Sequence, residues 1–494
     1  MAIYTAKPDL SSNPLLNSIT HKNIWGETSL NYYFGNKSTF EAEPDLKTFM
    51  NGQLGGRRPA DAEFAYKDVA VATYSYIDAI TKLDFAQTED VEAADMLLVS
   101  SSRPASNTEG AFLLPGMNKS GDGESVSFGV FNSGLKPLTA SAELGAGAYG
   151  GWTVSHELGH SIGLRHTHED TREGASRPEV GTAMDNERYS IMSYKSASDN
   201  VKYGHAVSLM ALDIAALQTL YGAEEYAATN STYTLMNARS GPLSLVEGAV
   251  EIGRAYYSIW DSGGVDTLQY GSKGKSTMIN LNDATLDTSG IEAELKALIR
   301  EIKVTDFFQS LANGVRKDIV SEWNHAGGFF SQVLEKVGGR YQNIEGGYSI
   351  ANGAVIENAT GGNKADLLIG NEYDNVLTGG RGADTLLGGA GNDTLIGDKG
   401  ADLLNGGRGN DTLTGGAGAD KFVFSTLSGT DTITDFEIGV DVIDLSRLKD
   451  VTTFEQVRAS MTEVDGDVVI TVGADVLIIN DLVIADLKAS DFLV

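Results

Sequence analysis

Residues 156 to 166 read HELGHSIGLRH, which places three imidazoles and a carboxylate within one short stretch. On a helix of 3.6 residues per turn, His156 and His160 lie about 40° apart on one face, and both can reach one zinc ion at about 2.0–2.1 Å. Glu157 sits beside them, free to act as a base. Were the helix to continue, His166 would lie about 9 Å further along its axis than His160, too far to share that ion. Gly163 is therefore expected to break the helix and let the chain turn back. Three neutral imidazoles leave one coordination position for water, whose pKa zinc lowers toward ~7. The chain has no cysteine and 7 histidines, so thiolate ligands are excluded and few imidazoles compete. The spacing selects His166 over His168 as third ligand, and His21, His205 and His325, which lack such spacing, read as structural.

A second ligand-bearing pattern runs from Gly361 to Val423, where seven consecutive nonapeptides follow the template G-G-x-G-x-D-x-U-x, with U apolar. Glycines at positions 1, 2 and 4 permit backbone angles that a Cβ would forbid. The first six residues of each unit are expected to turn the chain and the last three to form a short strand, with Leu386, Leu395, Leu404 and Leu413 pointing inward. Stacked coils then line up rows of carboxylates with backbone carbonyls between them. Like charges repel, and calcium, which takes oxygen ligands, relieves the repulsion and couples folding to its own binding. The expected calcium residues are Gly379, Gly380, Gly382 and Asp384; Gly388, Gly389, Gly391 and Asp393; Gly397, Gly400 and Asp402; Gly406, Gly407, Gly409 and Asp411; and Gly415, Gly416, Gly418 and Asp420. Units 1 and 2 depart from the template through Lys364, Asn371 and Asn375, so no site is assigned to them.

These groups need scaffolds. Residues 1–223 read as a mixed α/β metal-binding domain: Phe64, Ala65, Val69, Ala72, Tyr76 and Ile80 fall at roughly helical spacing, Met96 to Ser100 reads as a strand, and a helical run, SLMALDIAALQTLYGA, closes the domain. Residues 224–494 read as a second, calcium-binding unit. It opens with short alternating runs such as Thr277 to Leu281, and carries a helical insertion at about 291–346, the repeats at 361–423 and a tail at 480–494. In the insertion, Ile291, Leu295, Leu298, Ile299 and Ile302 form an amphipathic stripe. With 37 basic against 67 acidic residues the net charge is −30, which repels phosphate backbones and anionic lipid and argues against nucleic-acid partners. No apolar run is long enough for a membrane span, and the first twenty residues lack the apolar core of a Sec signal.

HELGHSIGLRH is the metzincin signature, and Ser190-Ile191-Met192-Ser193-Tyr194 resembles the Met-turn of the serralysin family. The nonapeptides resemble RTX calcium-binding repeats, which form a parallel β-roll. LYGA at the end of the closing helix, VIENATGG before the repeats and the terminal Asp491-Phe492-Leu493-Val494 extend the resemblance, the last being similar to the tail read by type I secretion machinery. The resemblance implies an α+β metzincin catalytic domain with a mixed sheet plus helices, followed by an all-β parallel β-roll/β-sandwich domain with a helical insertion. It implies Met192 as an apolar floor beneath the metal. Tyr194 becomes a phenol that ligates resting zinc and swings away to stabilise an oxyanion, and Ala111 to Gly116 an edge strand for extended peptides. The expected protein is a secreted monomeric endopeptidase with one catalytic zinc ion and several structural calcium ions. Its expected partners are polypeptide substrates, the type I secretion apparatus and a proteinaceous inhibitor. The alternative is a calcium-dependent adhesin or toxin-like binding protein with a vestigial zinc domain, against which the intact Glu157 argues. Two features depart from the family: the insertion is longer than expected, and Thr167 stands where proline is usual.

Overall fold

The computed structural model describes residues 4–10, 13–36, 66–101, 110–112, 127–132, 149–167, 185–195, 205–235, 249–252, 256–270, 274–286, 293–321, 325–326, 328, 331–343 and 346–494. Strands β1 (Tyr4–Ala6) and β2 (Asn23–Trp25) form an antiparallel ribbon joined through helix α1 (Pro14–Ser18). The sheet behind the metal motif has five strands: β3 (Ser29–Gly35), β4 (Asp84–Gln87), β5 (Met96–Ser101), β6 (Gly110–Phe112) and β7 (Ser127–Asn132), in the order β4-β3-β5-β7-β6. All are parallel except β6, which pairs antiparallel with β7 at the edge. That edge holds the start of the expected Ala111 to Gly116 strand; residues 113–116 lie outside the described residues, as does His168.

Helices α2 (Lys67–Ile80), α3 (Tyr149–Ser161) and α4 (Ala211–Tyr221) pack with this sheet in one core. The buried stripe of α2 is Ala70, Thr73, Tyr74, Tyr76, Ile77 and Ile80, whereas Ala72, expected on it, is exposed. The stripe is rotated because the larger Tyr74 and Ile77 bury more apolar area than alanine. Helix α3 contains Gly150, Gly151 and Gly159, poor helix formers, yet every residue from Gly150 to Ser161 is buried. Packing on all sides, not propensity, holds it.

The C-terminal part is built from an eleven-stranded and a nine-stranded sheet. Each coil takes two nonapeptides, one strand per sheet, so Leu377 aligns with Leu395 and Leu413 in one sheet and Leu386 with Leu404 in the other, all parallel. These leucines are at most 2% exposed and form the seam between the sheets. The strands are longer than expected in the middle of the roll. Val376–Arg381, Thr385–Ala390, Thr394–Lys399 and Leu403–Arg408 each run six residues, because pairing continues through the glycines of the following unit. Stacking also begins before the repeats, with Thr267–Tyr270 and Asn358–Thr360 on one sheet and Ser276–Asn280 on the other.

The insertion supplies helices α5 (Ala293–Lys303), α6 (Asp306–Ser310) and α7 (Asn313–Ile319) and an antiparallel hairpin, Gln332–Val337 with Arg340–Asn343. Ile291 lies outside the described residues. Ile302, Phe307, Phe308, Leu311, Val315 and Ile319 bury the outer face of the nine-stranded sheet, where Leu367, Ile369 and Leu387 occupy positions 7 and 9 of odd-numbered units. At the other end of that sheet Phe492–Leu493 pairs in parallel with Val442–Asp444, and Asp491 is fully buried. Among the described residues no helix is long and apolar enough to cross a membrane.

Candidate metal centre

The turn that returns His166 to the first two histidines is a Schellman C-cap. Gly163 adopts φ +97°, the Leu164 N–H donates to the Gly159 carbonyl (3.0 Å), and the Gly163 N–H donates to that of His160 (3.1 Å). The capped turn also orients a ligand, since the Leu164 carbonyl faces His160 Nδ1 at 2.8 Å. The N-terminal segment clamps it from outside: the His21 N–H donates to the Gly163 carbonyl (2.7 Å) and the Arg165 N–H to that of Ile19 (2.8 Å). The Trp25 indole donates to the Ser161 carbonyl (2.8 Å). Sequence patterning leaves this clamp unread, because ribbon and turn are more than a hundred residues apart.

The result is a cluster in which His166 Nε2 lies 3.0 Å from His160 Nε2 and 3.1 Å from His156 Nε2. His156 Nδ1 faces the Ile191 carbonyl at 2.7 Å, and a carbonyl only accepts, so in His156 and His160 the proton sits on Nδ1 and the Nε2 lone pairs point inward. Tetrahedral zinc bound at about 2.0–2.1 Å to each nitrogen requires neighbouring nitrogens about 3.3 Å apart, so the donor set fits that ion. Among the described residues, His156, His160 and His166 are also the one group of three or more His, Cys, Asp or Glu side chains whose ligand atoms converge closely enough to share a metal ion. Glu157 is 8% exposed beside them. The Tyr194 ring is 58% exposed and lies 5.3 Å from the His156 ring and 4.6 Å from the His166 ring, centroid to centroid.

Met192 is fully buried under α3, and a Cβ on Gly159 would come within 2.7 Å of its sulfur. One of the two variable positions between His156 and His160 is thus constrained by the Met-turn. Asp213, also missed by patterning, anchors that turn: it accepts from the Ser190 hydroxyl (2.6 Å), the Ile191 N–H (2.8 Å) and the Met210 N–H (2.9 Å). Its burial pushes the carboxyl up to about 6 against these bonds. The legible signal was a lone acid in the apolar run LDIAAL, since a buried carboxyl must find partners. Asp185 joins the two halves of the site, accepting from the Thr167 hydroxyl (2.5 Å) and the Ser193 hydroxyl (2.8 Å) and pairing with Lys195 (2.8 Å). A proline at 167 could not donate this bond. The other histidines are held elsewhere: buried His205 Nδ1 faces Glu187 at 2.8 Å, His325 Nε2 the Ile319 carbonyl at 3.0 Å, and His21 Nδ1 the Asn23 carbonyl at 3.1 Å.

In the roll, the position-six carboxylates form two rows, one beside each sheet. Oδ1 of Asp384, Asp402 and Asp420 accepts the backbone N–H of the acid one coil earlier, Asp366, Asp384 and Asp402 respectively, at 2.7–2.9 Å. Asp393 and Asp411 accept likewise from Asn375 and Asp393 at 2.8 Å. The second oxygen, Oδ2, of Asp384, Asp393, Asp402, Asp411 and Asp420 is buried without a hydrogen-bond partner. Burial, reinforced by neighbouring acids, pushes Asp384 and Asp393 up to about 8, and burial pushes Asp402 to about 7 and Asp411 to about 6. Orphaned buried carboxylate oxygens in a row fit a hard divalent cation. Unit 2 shows the contrast. Asn375 replaces the acid, and its amide is satisfied by the Asn371 N–H, the Asn371 side chain and the Glu357 carbonyl. Asp366 of unit 1 likewise spends both oxygens on Thr277 and the Gly362 N–H. Asp398 takes the second-glycine position of unit 5 at φ +71°.

A family model described as Peptidase M10 serralysin C terminal matches residues 328–494, and one described as Metallo-peptidase family M12 matches residues 65–204. Metalloprotease AprA of Pseudomonas entomophila (strain L48) is 32% identical over 317 residues, 62% of this chain and 53% of that protein. Serralysin B of Dickeya chrysanthemi is 38% identical over 307 residues, 61% of this chain and 50% of the relative, and Serralysin A of the same organism 29% identical over 371 residues, 74% and 64%. The chain spans about half the length of the first of these curated relatives. One family match lies over the imidazole cluster and the other over the roll, so the chain is similar to metallopeptidases in the first part and to serralysins in the second.

Proposed function

We propose that this chain is a secreted zinc- and calcium-dependent endopeptidase acting on extended polypeptides, with residues 1–223 carrying the chemistry and 224–494 the calcium-set roll. The observation that carries the reading is the convergence of three imidazole nitrogens within 3.0–3.1 Å contacts beside a buried glutamate and an exposed tyrosine. Zinc held by His156, His160 and His166 would polarise the scissile carbonyl and acidify water. Glu157 takes a proton from the attacking water and delivers it to the leaving amide nitrogen as the C–N bond breaks. Tyr194, exposed, stacked against the His156 ring and tilted against the His166 ring, donates its hydroxyl to the developing oxyanion. Among the described residues β6 lies at the edge of its sheet, where an extended substrate strand would pair.

In the roll, the expected glycines and Asp384, Asp393, Asp402, Asp411 and Asp420 hold calcium, and export through a type I apparatus precedes calcium-driven folding. The test is casein degradation by the purified chain in calcium, with zinc content measured alongside. Glu157→Gln should keep its zinc and lose at least about 10²-fold in kcat. Near-native turnover in a zinc-replete variant refutes the assignment, and an inactive zinc-loaded parent would favour the adhesin-like alternative.

A further inference from the structure

The helical insertion has no role in the chemistry above, yet it touches both halves of the molecule. On one side its apolar face covers Leu367, Ile369 and Leu387 of the roll, and Glu301 of α5 accepts from the Asn405 amide (2.7 Å) and pairs with Arg447 (3.3 Å). On the other side Asp318 of α7 pairs with Arg188 at 3.6 Å. Arg188 belongs to the Met-turn loop, and its guanidinium lies 5.6 Å from the centroid of the Tyr256 ring, which opens the strand Tyr256–Ile259 of the C-terminal part.

The position of Arg188 within that loop matters. Its neighbour Glu187 is tied to buried His205, and the Glu187 N–H donates to the Lys195 carbonyl (2.9 Å), closing the loop just after Tyr194. Three residues beyond Arg188, the Ile191 carbonyl orients His156. Asp185, Glu187 and Asp213 anchor the loop to residues 1–223, whereas the Arg188 pair is a tie to the insertion and through it to the roll.

We propose that α5–α7 form a strap that transmits the folded state of the roll to the Met-turn loop, with Asp318 as a positioning residue for His156 and Tyr194. The inference rests on the proposed hydrolysis only for its kinetic arm. When the roll is set, the outer face of its nine-stranded sheet gives the insertion a surface to pack on, α7 is fixed, and Asp318 holds Arg188. When that face is lost the helices lose their apolar partner, and the loop is released at that anchor.

The test uses the full-length zinc-loaded protein in millimolar calcium and reads the rate of zinc transfer to a chromogenic chelator, together with kcat and KM on a peptide. The pair is partly exposed, so Asp318→Asn should release zinc about two- to fivefold faster, with kcat lowered in proportion and KM unchanged. Asp318→Glu should restore the parental rate. The Asp318→Asn/Arg188→Gln double variant should be no faster than Arg188→Gln alone, since both substitutions break one tie. Circular dichroism should be unchanged throughout, which separates a positioning effect from unfolding. Parental zinc release by Asp318→Asn, or additive effects in the double variant, would overturn the strap. Zinc release needs no substrate, so a parent without peptidase activity would remove the proposed function and leave the strap to be judged on release rates.

Discussion

Removing calcium should make the stability of the roll depend on pH in an unusual direction. Asp384 and Asp393 are held up to about 8, against an ordinary 3.8 in an unfolded chain, because each is buried with one oxygen unpaired and other acids of the roll nearby. A carboxyl whose folded pKa lies above its unfolded value binds its proton more tightly when folded, so stability falls as pH rises. The loss begins near pH 4 and is complete above about pH 8. At 1.36 kcal/mol per pH unit, the gap from 3.8 to about 8 is worth on the order of 5 kcal/mol for Asp393 alone. That is comparable with the whole stability of a typical domain, about 5–15 kcal/mol. Calcium-free protein, prepared over a chelating resin rather than in a pH-sensitive chelator, should therefore hold the roll near pH 5 and lose it near pH 8. Millimolar calcium should restore it at pH 8, because the cation stabilises the ionised carboxylates. Far-UV circular dichroism follows the transition, and hydrogen exchange in peptides covering 376–414, corrected for intrinsic rates, locates it. Equal protection at pH 5 and pH 8 without calcium would refute the claim that orphaned carboxylates make the roll calcium-dependent.

Gly163→Ala should weaken zinc binding by roughly tenfold, measured by chelator competition: the added Cβ meets only ordinary contacts, the nearest being Ile24 at 3.5 Å, so the cost is the left-handed backbone at φ +97°, about 1–2 kcal/mol. Asp213→Ala should lower thermal stability by about 3–5 kcal/mol, since two backbone N–H groups and the Ser190 hydroxyl lose their acceptor, with Asp213→Asn costing less because its oxygen still serves both N–H groups. At the C-terminus, Asp491→Ala should destabilise the edge strand, because the buried carboxylate accepts the Lys488 N–H, while removal of Val494 alone should leave the melting temperature unchanged. If deleting Asp491 to Val494 abolishes export while Asp491→Ala is exported normally, the tail is read as an exposed signal; normal export of a truncated but less stable chain assigns it a packing role.

Much of the candidate metal centre is legible in the chain because its constraints are local. The i, i+4 spacing of His156 and His160 puts both on one helix face by geometry alone, and the distance to His166 demands the break that Gly163 supplies. The nonapeptide period likewise carries its own coil, since a glycine-permitted turn and an inward leucine recur every nine residues and stack at eighteen. What patterning misjudged was local balance: pairing ran through the glycines to give six-residue strands, and the buried face of α2 turned toward Tyr74 and Ile77.

Other features belong to the tertiary structure alone. The clamp of residues 19–25 on the 161–165 turn, the Asp213 anchor of the Met-turn and the Asp318–Arg188 tie each join segments far apart in sequence, through backbone carbonyls or single charges that leave no periodic trace. The helical insertion shows the division most plainly. Its apolar stripe states that something must be covered, and the leucines at positions 7 and 9 of the odd units state that a sheet face needs a cover. Hydrophobic burial is non-directional, so neither pattern names its partner, and only the folded chain, by bringing the two faces together, decides that each covers the other.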